Sequence, residues 1–303
     1  MSQRLDVRKT YKLYIGGKFP RSESGRSYVV TDAKGQFVAN ASRASRKDAR
    51  DAVVAARAAF PAWSGATAYN RGQVLYRVAE VMEGRAEQFA REVAAGEGLR
   101  LSQARSVVSA AIDRWVWYAG WTDKLSQVVG STNPVAGPYF DFSIPEPTGI
   151  VAVLAPQDSS LLGLVSVLAP VLAGGNVVVA VSSHLRPLPA ITLAEAFATS
   201  DVPGGVVNLL TGGAAEIGPW LADHADVNAI DLTGSVGASE GDAAADVELA
   251  RDLEVRAAGT LKRVRRPSHL AIQGGSPDWA AEPGLSRMTA FLETKTVWHP
   301  IGV

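Results

Sequence analysis

No cysteine occurs anywhere in the 303 residues, so disulfides, thiolate metal ligands and a thiolate nucleophile are all excluded within this chain. The other side chains that could do chemistry are sparse. His184, His224, His269 and His299 are scattered, with no i, i+4 pair and no metal-ligand spacing. Solvated or packed imidazoles are the plain reading of all four. Asp223-His224, with Asp226 nearby, could imitate a carboxylate–imidazole pair. The group falls at the end of a helical pattern, however, where a polar terminus is the simpler reading. No serine sits in a Gly-x-Ser-x-Gly elbow. Thirty basic and thirty acidic residues balance to zero net charge, without the basic excess that a nucleic-acid binder normally shows.

The surrounding elements are easier to read. Hydrophobic residues make up 47% of the chain, enough for a sizeable core in one large or two ordinary domains. Tyr11 to Phe19 (YKLYIGGKF) reads as a short hairpin around Gly-Gly. Ser45 is the expected N-cap of a helix with Ala52, Val53, Ala56 and Phe60 on its apolar stripe. A second helix is expected after Asn70, carrying Val74, Leu75, Val78, Val81, Met82 and Phe89 on one face, and a third from Gln103 to about Ser126. Trp115 and Trp121 on it read as ordinary packing.

Asn133 to Pro147 is proline-rich at both ends and extended between Tyr139 and Ile144. Pro145 and Pro147 argue against a central, fully paired strand beyond that point. From Gly149 the pattern alternates. Strands are expected at Gly149–Leu154, Val177–Val181, Val206–Leu210 and Ala229–Leu232, with helices at Leu161–Leu172, Pro189–Thr199 and Ile217–Ala222. This implies an α/β fold, a Rossmann-like doubly wound parallel sheet with N-terminal helices. Such sheets bind ligands at the carboxyl ends of their strands. The uncharged stretch between Asp158 and His184 is long enough to suggest a membrane span, but Pro170 and Gly174-Gly175-Asn176 break it into a buried helix, a turn and a strand. Met1 to Thr10 lacks the apolar core of a signal peptide, so a cytoplasmic protein is expected, with neither membrane nor nucleic acid as partner. After Gly234 the order fades. Residues 241–284 read as an irregular linker with a basic stretch from Arg251 to Arg266, and 285–303 recovers a short helix and a strand at Thr294–Trp298. No internal repeat is present.

The run from Gly149 to Ser235 resembles the cofactor-binding domain of the aldehyde dehydrogenase superfamily. The matching pieces are GIVAVLAP (149–156), LAPVLAGGNVVV (168–179), PGGVVNLLTG (203–212) and DLTGS (231–235). YIGGKF, the helix SRKDARDAVVAARAAFPAW and the terminal LETKTVW fit the same family. The resemblance implies that residues 1–240 form a family-like N-terminal and cofactor-binding domain. Within it, 133–147 would be a protruding oligomerisation strand, and 285–303 a C-terminal segment that associates with it.

The departures carry the functional expectation. The family attacks an aldehyde with a cysteine thiolate, passes hydride to a nicotinamide and releases acid with a glutamate-activated water. This chain has no cysteine and no glutamate-bearing ELGGK-like motif; Gln273-Gly274-Gly275-Ser276-Pro277 is only a faint echo. About fifty residues separate the Gly234-Ser235 turn from the terminal segment, too few for the family's separate catalytic domain. Asp158 stands where the family has the asparagine that donates to the oxyanion, and an ionised aspartate can only accept. Gln157 could donate, but from the wrong position. Val181 and His184 replace the lysine and glutamate that hold the adenosine ribose. What the resemblance leaves as cofactor-binding residues is Gly212, Thr233, Gly234 and Ser235, of which the last three form the turn that meets a pyrophosphate. NAD or NADP binding is therefore expected to be weak or absent, and no catalytic or metal-binding residue is identified.

Three readings follow. The first is a catalytically inactive assembly subunit, forming a homo-oligomer or a hetero-oligomer with an intact aldehyde dehydrogenase. The second is a dinucleotide-binding sensor. The third is an NAD(P)-dependent aldehyde oxidoreductase, as the family implies.

Overall fold

The computed structural model describes residues 9–239 and 241–302; most of the polar stretch Met1 to Thr10 lies outside them. Two strands, β1 (Ser27–Thr31) and β2 (Phe37–Ser42), form an antiparallel hairpin. Four helices follow: α1 (Arg46–Gly65), α2 (Ala68–Glu83), α3 (Ala86–Glu97) and α4 (Leu101–Trp121), with a short α5 (Leu125–Val129) behind them. The strands β3 (Ser131–Asn133) and β4 (Tyr139–Pro147) lead into the parallel region. There β5 (Ile150–Leu154), α6 (Leu162–Ala173), β6 (Val177–Val181), α7 (Leu188–Phe197), β7 (Val207–Leu210), α8 (Ala214–Asp223) and β8 (Ala229–Asp231) alternate. The chain closes with α9 (Ala243–Ala258), β9 (Arg263–Arg265), α10 (His269–Ile272), α11 (Ser286–Thr289) and β10 (Leu292–Pro300).

The main sheet is parallel, in the order β7-β6-β5-β8-β9. Strand order reverses between β5 and β8, so the ligand crevice of a doubly wound sheet falls at their carboxyl ends. β5 and β6 are buried along their full length, and every residue of α6 is buried. That is why these segments read as unbroken apolar runs rather than alternating ones. The helical N-terminal region shares this core: Trp115 of α4 meets Phe197 of α7 edge-on at 5.7 Å. No helix among the described residues is long and apolar enough to cross a membrane.

Ser45 caps α1 in a reciprocal capping box with Asp48, as its sequence indicates. Several expectations need correction. The 241–284 region is not uniformly irregular: α9 is a sixteen-residue helix, and β9 joins the main sheet as a fifth strand parallel to β8. The sequence hides both, because α9 buries only Asp246, Leu253 and Ala257, and β9 reads Arg-Val-Arg. Phe89 lies on α3 rather than on the second helix, which Gly84 ends. The short hairpin around Gly16-Gly17, by contrast, is present as expected: Ile15 and Lys18 exchange backbone hydrogen bonds, Leu13 N–H donates to the Pro20 carbonyl, and both glycines take positive φ. Tyr14 also pairs with Leu209, covering the β7 edge. The reading of Pro145 and Pro147 holds: β4 runs through both, but beyond Ser143 it pairs, among the described residues, with β10 alone and is not a central, fully paired strand. An edge accepts prolines that a doubly paired strand would not.

β10 returns antiparallel along all of β4, from Leu292 opposite Pro147 to Pro300 opposite Tyr139. The three-stranded sheet β10-β4-β3 results. It is anchored to the core through Asn176, which accepts from Gly149 N–H at 2.8 Å and donates to the Phe291 carbonyl at 2.9 Å.

Candidate functional site

The crevice at the β5 and β8 ends is built from the Pro156–Asp158 turn, the Thr233–Ser235 turn and a loop from the C-terminal part of the chain. Together they enclose about 200 Å³. Gly234 is demanded by the packing: a Cβ there would lie 1.9 Å from the Ala155 carbonyl oxygen, so only glycine lets the two turns meet. Ser235 is fully buried and donates from Oγ to the Leu232 carbonyl at 2.9 Å. Thr233 donates its backbone N–H to Asp231 at 2.9 Å and its hydroxyl to the same carboxylate. All three residues of this turn thus serve its internal structure. Gly212 lies elsewhere. It takes φ +139° just after β7, three strands along the sheet from β8, and is not brought together with the other three.

The next turn is occupied from within. The backbone N–H groups of Gly237 and Ser239 point at the carboxylate of Asp246, at 2.5 and 2.8 Å. Asp246 stands in the first turn of α9, and Asp242 caps the same helix by accepting from Ala244 and Ala245. The donors of this glycine-containing turn are thus satisfied by the chain's own carboxylate. Sequence inspection missed Asp246. The signal was present as an Asp-x-x-x-Asp pair opening a helix, where acidic residues favour the N-terminus.

The mouth of the crevice is similarly filled. Gln157 donates from Nε2 to the Ala155 carbonyl at 2.9 Å and to the Gly234 carbonyl at 3.4 Å, and its Oε1 accepts from His184 N–H at 3.0 Å. Its amide therefore bridges the ends of three strands. Asp158 accepts from the Ser276 hydroxyl and, at 3.4 Å, from the Trp279 indole N–H. The Gln273–Pro277 run thus docks on the aspartate. Val181 is fully buried at the end of β6, and the His184 ring stacks on Tyr28 at 4.6 Å.

The remaining candidates separate. His224 accepts at Nδ1 from the Asp226 backbone N–H at 3.2 Å, and burial lowers its pKa. Asp223 pairs with Arg256 at 2.8 Å, so no carboxylate–imidazole couple forms there. Among the described residues no cluster of His, Asp or Glu could hold a metal ion.

The aldehyde dehydrogenase family model matches residues 19–248, most of the chain. The chain belongs to the aldehyde dehydrogenase family. It is 34% identical over 241 residues to mouse cytosolic 10-formyltetrahydrofolate dehydrogenase, covering 77% of this chain and 26% of that protein. It is 30% identical over 284 residues to the putative aldehyde dehydrogenase DhaS of Bacillus subtilis, covering 92% of this chain and 54% of the relative. The NAD+ complex of a Bacillus cereus aldehyde dehydrogenase superposes with a TM-score of 0.77 at 26% identity, over 84% of this chain and 50% of that one. The chain therefore spans a quarter of the mouse protein and about half of the two bacterial ones. The resemblance read from GIVAVLAP, LAPVLAGGNVVV and DLTGS, and the Rossmann-like parallel sheet, are both borne out.

Proposed function

We propose that this family member is a non-catalytic assembly subunit that pairs with itself or with an intact aldehyde dehydrogenase. The observation that carries the reading is the β10-β4-β3 sheet. β10 has β4 on one side, and its other edge is unpaired among the described residues over nine positions. Tyr139, Phe140 and Trp298 are 44%, 47% and 58% exposed, with Tyr139 and Trp298 in edge-on contact at 5.7 Å. An unpaired edge flanked by exposed aromatics is a surface that native proteins normally cover. A strand or apolar surface from a partner subunit is the cover proposed here.

Loss of catalysis is supported by composition and by the crevice. The family's reaction begins with a thiolate, and this chain has none. Asp158 offers only acceptors where the reaction needs a donor, and its carboxylate holds Ser276 and Trp279.

NAD or NADP does not fit the crevice well. The Asp246 carboxylate sits on the amides of the neighbouring Gly237–Ser239 turn, Gln157 bridges the crevice mouth, and Val181 is fully buried and offers no hydrogen bond to a ribose. The enclosed volume of about 200 Å³ is below the usual range for a cofactor cleft, about 300–1,000 Å³. These features support binding that is weak or absent, and no chemical step is assigned to a dinucleotide. A sensing role is the second reading, favoured by the likeness to the NAD+ complex.

Deletion of residues 294–303 tests the assembly reading. A smaller or aggregating species that no longer captures an intact aldehyde dehydrogenase is the expected result. An unchanged mass with unchanged capture contradicts it.

A further inference from the structure

Between α4, α6 and the 277–287 segment lies a second cavity of about 210 Å³, separate from the crevice described above. Two arginines line it. Arg114 of α4 is 8% exposed and donates from Nη2 to the carbonyls of Trp279 and Ala281, at 2.8 and 2.9 Å. Arg287 of α11 donates from Nη1 to Asp231 at 3.1 Å and to Thr233 Oγ1 at 3.4 Å, and its guanidinium lies 5.6 Å over the Trp279 ring. Each arginine thus spends one nitrogen on the fold. Among the described residues its other N–H groups make no hydrogen bond. Tyr118, Ser166 and Ser286 add hydroxyl groups to the lining.

Around Asp231, guanidiniums outnumber carboxylates. Arg265 approaches the same Asp231 oxygen as Arg287, at 4.0 Å, with its buried Nε lacking a hydrogen-bond partner. Two guanidiniums, Arg265 and Arg287, therefore share a single buried carboxylate, and Arg114 adds a third positive charge that acts on Arg287. Burial, reinforced by the neighbouring Arg287, holds both Arg114 and Arg265 below their ordinary values. Asp278 and Glu282 also line the cavity, but they are exposed and make no ion pair with these arginines among the described residues. Like charges gathered at low exposure are costly unless an anion joins them. Two guanidinium edges lining one cavity match the planar oxygens of a carboxylate or phosphate.

We propose that this cavity is a binding site for a small oxyanion, a phosphate or carboxylate group, held by the free N–H groups of Arg114 and Arg287 and by the Ser286 hydroxyl. The Trp279 ring forms the apolar wall beneath Arg287. Because the anion would bridge α4 and α11, it would also lock the 277–287 segment in place. That segment carries Trp279, which holds Asp158, so the site lies next to the closed crevice without being part of it. This inference stands independently of the assembly reading.

Isothermal titration of the full chain tests it, with inorganic phosphate and with malonate at constant ionic strength. Saturable binding of either anion at one site is expected. Arg287→Gln and Arg114→Gln should each weaken it about tenfold or more, since a hydrogen bond to a charged group is at stake. Ser286→Ala, at an exposed position, should fold normally and weaken binding less, and Arg91→Gln, far out on α3, should leave it unchanged. Binding of phosphate alone would identify a phosphate ester as the ligand class, and binding of malonate alone a carboxylate. Absence of saturable binding for both anions overturns the proposal. So does affinity that survives in folded Arg287→Gln, Arg114→Gln and Ser286→Ala alike.

Discussion

Replacing Asp246 by alanine removes the group that fills the glycine turn. Asp246 is only 4% exposed and accepts from two backbone N–H groups, at 2.5 and 2.8 Å. A hydrogen bond to a charged group contributes about 1.5–3 kcal/mol. The carboxylate also stands at the N-terminus of α9, where a negative charge adds about 0.3–1 kcal/mol. The two bonds share one carboxylate and do not add fully, so the expected loss is about 2–4 kcal/mol. For domains of this order, 1 kcal/mol moves the melting midpoint by about 2–4 °C, giving a fall of about 5–15 °C. Asp246→Asn keeps one acceptor oxygen and should lose about half as much. Differential scanning calorimetry reads both. Inorganic pyrophosphate should then raise the midpoint of Asp246→Ala more than that of the unchanged chain, because the freed amides become available to an external anion. A midpoint for Asp246→Ala within about 2 °C of the unchanged chain would refute the reasoning.

Other outcomes follow from the same geometry. Purified chain should form no NADH or NADPH with aliphatic or aromatic aldehydes; turnover that persists after contaminating dehydrogenases are removed would contradict the loss of catalysis. Calorimetric titration should find NAD and NADP bound more weakly than by an intact relative, by a factor of about ten to a few thousand. That range takes about 1–3 kcal/mol for each of the two altered ribose contacts and allows for non-additivity. Micromolar affinity would favour the sensing role instead. Glu92 accepts from Thr192 at 2.8 Å and Tyr11 at 2.9 Å, and burial raises its pKa against those bonds. A carboxyl whose pKa is raised on folding stabilises below its unfolded value, and that stability is lost as pH climbs through the folded value. Glu92→Gln should therefore be more stable than the unchanged chain at pH 7 and show a flatter profile between pH 4 and 7 in thermal melts; lower stability at pH 7 would count against this.

The parallel sheet was legible because its strands are buried on both faces. Val177–Val181 and Ile150–Leu154 are continuous apolar runs, and Gly149 and Gly175, both at positive φ, punctuate them. The β1–β2 hairpin was overlooked although its turn carries a signal. Asp32 accepts from Lys34 and Gln36 N–H, the local bonding that makes Asp-x-x-Gly a turn. The strand β9 could not be read from propensity, since Arg-Val-Arg becomes a strand only by pairing with β8. The crevice shows the same division. The absent thiolate and the aspartate at position 158 are visible in the letters. That the chain's own Gln157 and Trp279 would line the crevice, and Asp246 would fill the turn beside it, required tertiary placement. These three come from segments up to 122 positions apart (157 to 279) and meet only once the sheet forms.

Sedimentation equilibrium of the intact chain, alone and mixed with an intact aldehyde dehydrogenase, tests the central claim most directly, with a Tyr139→Ser/Trp298→Ser variant alongside. The assembly reading calls for a mass that is a multiple of 31.8 kDa, or for co-sedimentation with the intact enzyme, with either property diminished in the variant. A 31.8 kDa monomer that stays apart from the intact enzyme would contradict it.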